Sequence, residues 1–174
     1  EAKVMDESRY VLGGYMDIAR SYLNDHDVDQ GEKEANKAIV LYEKFPKARE
    51  LHARQMADVF VRVAGEYISS ARPVPARGAV NKAVSILEKQ YHVDGIDEEI
   101  RSVMVRCVEI STLFRKQGRL DDAERMLDTS VQVLNKVELL RNSKIEGQIE
   151  YLISGYTNLS VACRDNGDFV GANR

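Results

Sequence analysis

Residues Cys107 to Leu134 read CVEISTLFRKQGRLDDAERMLDTSVQVL, and the periodicity of this stretch decides the fold. Cys107, Ile110, Ser111 and Phe114 follow at spacings of three, one and three, which puts all four on one side of a helix. Gly118 breaks the pattern, as suits a residue that tolerates the left-handed conformation closing a helix. Leu120, Ala123, Leu127, Ser130 and Val131 resume it. Asp121 and Asp122 fall in the first turn of this second segment, where carboxylates favour the positive end of the helix dipole. Ser111 and Ala123 are small enough to let two antiparallel helices approach closely. The stretch predicts a helical hairpin.

A hairpin this short cannot bury its apolar face alone, so it should recur. Tyr15, Ile18, Ala19 and Tyr22 are followed by Gly31, Ala35, Ala38 and Ile39. Phe60, Val63, Ala64 and Tyr67 precede Ala76, Val80, Ala83 and Val84. Tyr156, Leu159, Ser160 and Cys163 precede Gly167, Phe169 and Ala172, where the sequence stops. The small residue after the third apolar position falls at Ala19, Ala64, Ser111 and Ser160, in steps of 45, 47 and 49 residues. The expectation is one repeat domain over residues 1–174, with copies at about 6–44, 47–92, 97–141 and 144–174. Since the last copy is incomplete, the sequence is expected to be a fragment of a longer protein.

These residues resemble the tetratricopeptide repeat family, whose pattern is W-x2-L-G-x2-Y, a turn glycine, then A-x3-F-x2-A-L. The third and fourth copies match best, with Gly118 and Gly167 at the turn; the first two carry His26 and Ala71 there. The resemblance covers nearly the whole chain. The family period is roughly 34 residues, so the extra residues here should lengthen helices or linkers. HEAT-like hairpins, with a period of about 40–47 residues, are the structural competitor. The resemblance implies an all-α, right-handed superhelix of stacked antiparallel helix pairs.

Composition fits a globular chain: 44% hydrophobic, 30% charged, net charge −3. With no basic run or one-sided cluster, nucleic acid is not an expected partner. No window approaches 18 uninterrupted apolar residues, and EAKVMDESRY has no signal-peptide pattern, so no membrane insertion is expected; the compartment stays open, with the cytoplasm favoured. Cys107 and Cys163 sit at inward positions and read as free buried thiols.

In chain order, a first helix is expected from about Met5 to Leu23, with Asp6 or Ser8 as its cap. Gly13-Gly14 costs it about 1 kcal/mol per glycine relative to alanine. Either the pair packs closely on a neighbour or another backbone approaches it, unless the helix starts near Tyr15. The NDHDVD turn at 24–29 is acidic, but it lacks the glycine and terminal glutamate of a calcium loop, so the acids read as caps. Helices follow at about Gln30–Glu43, Pro46–Ser70 and Ala76–Tyr91, with Arg72-Pro73-Val74-Pro75 as a rigid linker before the last. After a turn at His92 to Gly95 come helices from Asp97, from Leu120, from Lys144 to Asn166, and an eighth from Asp168.

No catalytic constellation is present. The chain has three His, and it lacks HExxH, GxSxG, a phosphate-binding glycine loop and CxxC. No metal site or cofactor is expected, and the reading is non-catalytic.

The family resemblance implies that the first helix of each pair lines a concave groove holding a segment of a partner protein. Counted from the motif, that groove takes Met16, Asp17, Arg20 and Leu23, then Asp58, Val61, Arg62, Gly65 and Ile68. The later copies add Val108, Glu109, Thr112 and Arg115, then Thr157, Asn158, Val161 and Arg164. Chaperone adaptors of the family clamp a terminal carboxylate with Lys and Asn. The matching positions here are Met16 and Arg20, Arg62, and Val105 and Glu109, so that use is excluded. Arg20, Arg62, Arg115 and Arg164 could instead hold an acidic segment. The leading expectation is therefore a scaffold or adaptor module that binds a partner peptide or helix. The alternatives are a domain sensing a small peptide or metabolite, and a self-assembling chain whose unfinished hairpin is completed by another copy.

Overall fold

A computed structural model describes residues 2–90, 97–141 and 148–167. Among these residues there are seven α-helices and no strand. They are α1 (Ala2–Asn24), α2 (Val28–Lys44), α3 (Pro46–Ser69), α4 (Pro73–Glu88), α5 (Asp97–Lys116), α6 (Leu120–Arg141) and α7 (Gln148–Asp165). The protein is all-α, and no helix among the described residues is long and apolar enough to cross a membrane. The turn at His92–Gly95, the break at Asn142-Ser143 and the eighth helix lie outside the described residues.

One turn geometry closes α1, α3, α5 and α7. His26, Ala71, Gly118 and Gly167 all have positive φ, at 59°, 55°, 73° and 78°. In the first three turns the next amide reaches back to the carbonyl five residues earlier. Asp27 N donates to Tyr22 O (2.9 Å), Arg72 N to Tyr67 O (2.8 Å) and Arg119 N to Phe114 O (2.9 Å). This is the Schellman closure, in which a left-handed residue lets two amides satisfy carbonyls left over at the helix end. The two copies without a glycine thus make the same turn with residues that pay for it in backbone strain.

Three expectations need correction. The first helix starts at Ala2 and runs through Gly13-Gly14, so Asp6 and Ser8 fall within it and not at its start. Among the described residues a Cβ at either glycine would have no atom within 4 Å, so none of them packs closely on the pair. Pro73-Val74-Pro75 is not a linker: it forms the first turn of α4, where the amides that proline lacks would have no intrahelical acceptor.

Each hairpin packs on itself, α1 with α2, α3 with α4 and α5 with α6. Each even helix also contacts the next odd one, and the odd helices contact in succession, α1–α3, α3–α5 and α5–α7. Helices more than two apart in chain order make at most marginal contact among the described residues. The even helices are tied by side chains: Lys82 of α4 reaches Glu32 and Asn36 of α2 at 2.8 Å, and Arg77 of α4 reaches Asp122 of α6 at 2.7 Å.

Side-chain contacts repeat with the copies. Lys37 lies over the Tyr15 ring at 5.6 Å, and 45 residues on Lys82 lies over Phe60 at 5.2 Å. Arg72 stacks on Tyr67 and, 47 residues on, Arg119 stacks on Phe114, both at 4.6 Å.

The inward positions of the second and third copies are buried, from Phe60, Val63 and Ala64 to Cys107, Ile110 and Phe114. Full burial of a Phe60 or Phe114 ring contributes roughly 2–3 kcal/mol. The first copy differs. Its buried stripe is Leu12, Met16, Ala19 and Leu23, while Ile18 and Tyr22 are exposed. The reason is positional: α1 has α2 and α3 beside it, but among the described residues no earlier hairpin covers its other side. Met16 and Leu23, expected in the groove, are therefore core residues.

Candidate functional site

The odd-numbered helices carry most of the candidate partner-binding residues, and the physical question is which of them remain available. Arg20 Nη1 donates to Asp17 at 3.3 Å, and its other terminal nitrogen lies 3.7 Å from Asp58 on α3. Arg62 Nη2 donates to Asn24 Oδ1 on α1 at 2.6 Å. Glu109 accepts from Arg106 at 2.7 Å, and Thr112 donates back to the Val108 carbonyl at 3.1 Å. Ile68 is half-buried against the core. Arg115 is half-buried, and Asn158 and Arg164 are exposed. The structure brings Arg20, Asp17 and Asp58 together, and leaves Arg115 and Arg164 on α5 and α7.

Two of the four arginines expected to hold an acidic segment also make bonds within the chain. Arg20 and Arg62 already hold acceptors of the chain itself and tie α1 to α3. Such half-exposed pairs are worth only about 0–1 kcal/mol each, so they set the register of neighbouring helices more than they stabilise them.

Two clefts open between the odd helices. One, about 380 Å³, is lined by Arg20, Leu51, Arg54, Gln55, Asp58 and Glu99. The other, about 220 Å³, is lined by Val61, Glu98, Arg101, Ser102, Val105 and Arg106. Arg54 Nε donates to Glu99 at 2.9 Å across α3 and α5, and Arg106 lies 3.0 Å from where a Cβ on Gly65 would sit. The missing side chain at Gly65 thus leaves room on α3 for the Arg106 guanidinium of α5. Motif counting reached Arg20, Asp58, Val61 and Gly65 but missed Leu51, Arg54, Glu99 and Arg101. These lie upstream of the motif window, because α3 and α5 extend to 24 and 20 residues. The continued apolar spacing through Ala53, Met56 and Ala57 was the signal available in the sequence.

No protein-family model matches the chain, and no curated protein is significantly similar to it.

A third cleft, about 540 Å³, lies on the even helices between α4 and α6, lined by Arg77, Asn81, Arg125, Met126, Asp128, Thr129 and Gln132. Beside it Asp122 is shared by Arg77, Arg119 and Arg125. Burial alone would raise this carboxyl, but Arg119 and Arg77 hold it below its ordinary value. Tyr156 donates to Asp128 at 2.7 Å, which together with burial pushes the phenol up.

Elsewhere, titratable groups are engaged in packing. The NDHDVD acids cap and bridge: Asp27 accepts from Gln30 N at 3.2 Å, and the Tyr67 hydroxyl is within reach of Asp29 and Glu32. Burial, then Glu32 and Asp29, push the Tyr67 phenol up. Cys107 and Cys163 are both buried, and burial pushes the Cys107 thiol up to about 12, which makes it a poor nucleophile near neutrality.

Proposed function

We propose that this chain is a non-catalytic, tetratricopeptide-like scaffold or adaptor module. Its stacked hairpins wind into a right-handed superhelix and offer the odd-helix face to a peptide or helix of a partner protein. The observation that carries this reading is the uninterrupted succession of contacts α1–α3–α5–α7, with two mixed polar and apolar clefts opening along it. An elongated strip with small clefts fits an extended ligand that touches several helices better than it fits a compact metabolite. Arg54 and Arg101, half-exposed at the cleft rims and paired within the chain to Glu99 and Glu98, can exchange those weak exposed pairs for acidic side chains of the partner.

The test is comparative capture. Partners retained by the wild-type chain are scored against Arg54→Glu and Arg101→Glu on the strip, and against Arg125→Glu on the opposite cleft. Loss with the strip variants alone supports the reading; partners kept by all three contradict it.

A second reading rests on the larger α4–α6 cleft. Its two arginines, Asn81, Thr129 and Gln132 suit a small anionic ligand. Thermal shift against phosphorylated and carboxylated metabolites, with Arg125→Glu as control, separates this ligand-sensing role from the scaffold.

A further inference from the structure

The Asp122 carboxylate is surrounded by more cations than one acid can satisfy. Arg119 takes Oδ2 through Nε and Nη2, at 2.8 and 2.5 Å, and Arg77 takes Oδ1 at 2.7 Å. Arg125 is left over: its Nη1 stops 3.6 Å from the same Oδ1, outside hydrogen-bond range, and its side chain is 67% exposed. Arg77 from α4 and Arg125 from α6 both line the 540 Å³ cleft. Since their terminal nitrogens approach one oxygen, a single anionic group in the cleft can bridge both guanidiniums.

The rest of the wall says what that group belongs to. One carboxylate already sits between the two arginines and leaves Arg125 unused. A phosphate monoester brings a charge of about −1.5 to −2 and three acceptor oxygens, enough to meet two forked donors together. The cleft volume falls within the roughly 300–1,000 Å³ of small-molecule sites, so it holds a body as well as a phosphate. That body is polar, because Asn81, Asp128 and Gln132 stand exposed on the wall while Met126 is 1% exposed. Asp128 accepts from the Tyr156 hydroxyl on Oδ1 and keeps Oδ2 for a further donor. An acid beside two amides accepts from and donates to neutral hydroxyls, and repels a second anionic group.

We propose that the α4–α6 cleft binds a small phosphorylated polyol or sugar, its phosphate bridging Arg77 and Arg125 and its hydroxyls meeting Asn81, Asp128 and Gln132. The proposal rests on the reading of this cleft as a site for a small anion, and names the class of ligand. Because the two arginines belong to neighbouring hairpins, such a ligand ties α4 to α6.

Calorimetric titration of the 174-residue chain with glycerol 3-phosphate, ribose 5-phosphate and glucose 6-phosphate tests this, beside glucose, gluconate and inorganic phosphate. At least one ester should bind tenfold or more tightly than glucose and several-fold more tightly than inorganic phosphate. Arg125→Gln, which removes a guanidinium that holds Asp122 by no hydrogen bond, should weaken that binding at least tenfold. Asn81→Ala should weaken the esters and leave inorganic phosphate unchanged, a split that a misfolded variant cannot produce. Arg101→Glu on the odd-helix strip should change nothing. Gluconate bound as tightly as the esters overturns the phosphate assignment while the anion reading stands. Inorganic phosphate bound as tightly as the esters, or esters that Arg125→Gln leaves bound, also overturns the proposal. If no anion binds, the proposal and the anion reading fall together.

Discussion

Ala71 is the sharpest place to perturb this protein. It holds φ of 55° in the turn between α3 and α4, where the third and fourth copies use Gly118 and Gly167. An L-residue in the left-handed region costs about 1–2 kcal/mol. Replacing it with glycine removes that cost but returns about 0.4–1 kcal/mol of freedom to the unfolded chain. Ala71 is exposed, so no buried contact is lost. The net expectation for Ala71→Gly is a gain of about 0.5–1 kcal/mol, which in a protein of this size raises Tm by roughly 1–4 °C. Gly118→Ala is the mirror experiment. Its new Cβ meets nothing within 4 Å, so only the backbone term changes, and a loss of about 1 kcal/mol is expected. Urea denaturation monitored by circular dichroism gives both values with an unchanged slope. If Ala71→Gly destabilises, or Gly118→Ala is neutral, the four turns are not equivalent and the shared-closure argument fails.

Two further outcomes concern pH. His26 Nδ1 lies 3.0 Å from Glu66 on α3, and that hydrogen bond raises the imidazole above its ordinary 6.5. Stability from this contact is complete below about pH 6.5 and is lost as pH rises through the raised folded value. The urea midpoint of wild type should therefore fall between about pH 6 and pH 8 by more than that of His26→Gln. Asp122 is the opposite case: its carboxyl is held below 3.8, so its contribution is present above the ordinary carboxylate range and lost as pH falls through the lowered folded value. Asp122→Asn, which leaves Arg77, Arg119 and Arg125 around a neutral amide, should cost about 1–2 kcal/mol at neutral pH and blunt the acid transition below about pH 4.

The helices and their pairing were legible because the apolar spacing around Ala64 and Ser111 belongs to interior hairpins, which are covered on both sides. Applied to α1, the same template put Ile18 and Tyr22 inside and Met16 in the groove; nothing in the local pattern says which neighbours a helix has among the described residues. The left-handed turns were visible at Gly118 and Gly167 and hidden at His26 and Ala71, since neither residue advertises positive φ and tertiary packing imposes it. Pro73-Val74-Pro75 looked like a linker because proline breaks helix interiors, whereas its place in a first turn depends on where Arg72 caps the helix. The strip was half visible. Motif counting found residues beside the turns, and the clefts lie where α3 and α5 run on beyond the motif.

Everything rests on hairpins laid side by side in chain order. Asp17 on α1 and Asn158 on α7 occupy one motif position in the first and fourth copies, and both are exposed. Spin labels on Asp17→Cys and Asn158→Cys, in protein diluted with unlabelled chain, report their separation directly; the buried Cys107 and Cys163 do not compete for the label. Three helix-to-helix steps of about 8–10 Å each place the labelled positions roughly 25–30 Å apart. A separation near 10 Å, the spacing of directly packed helices, means that α7 folds back on α1 in a closed bundle and contradicts the account.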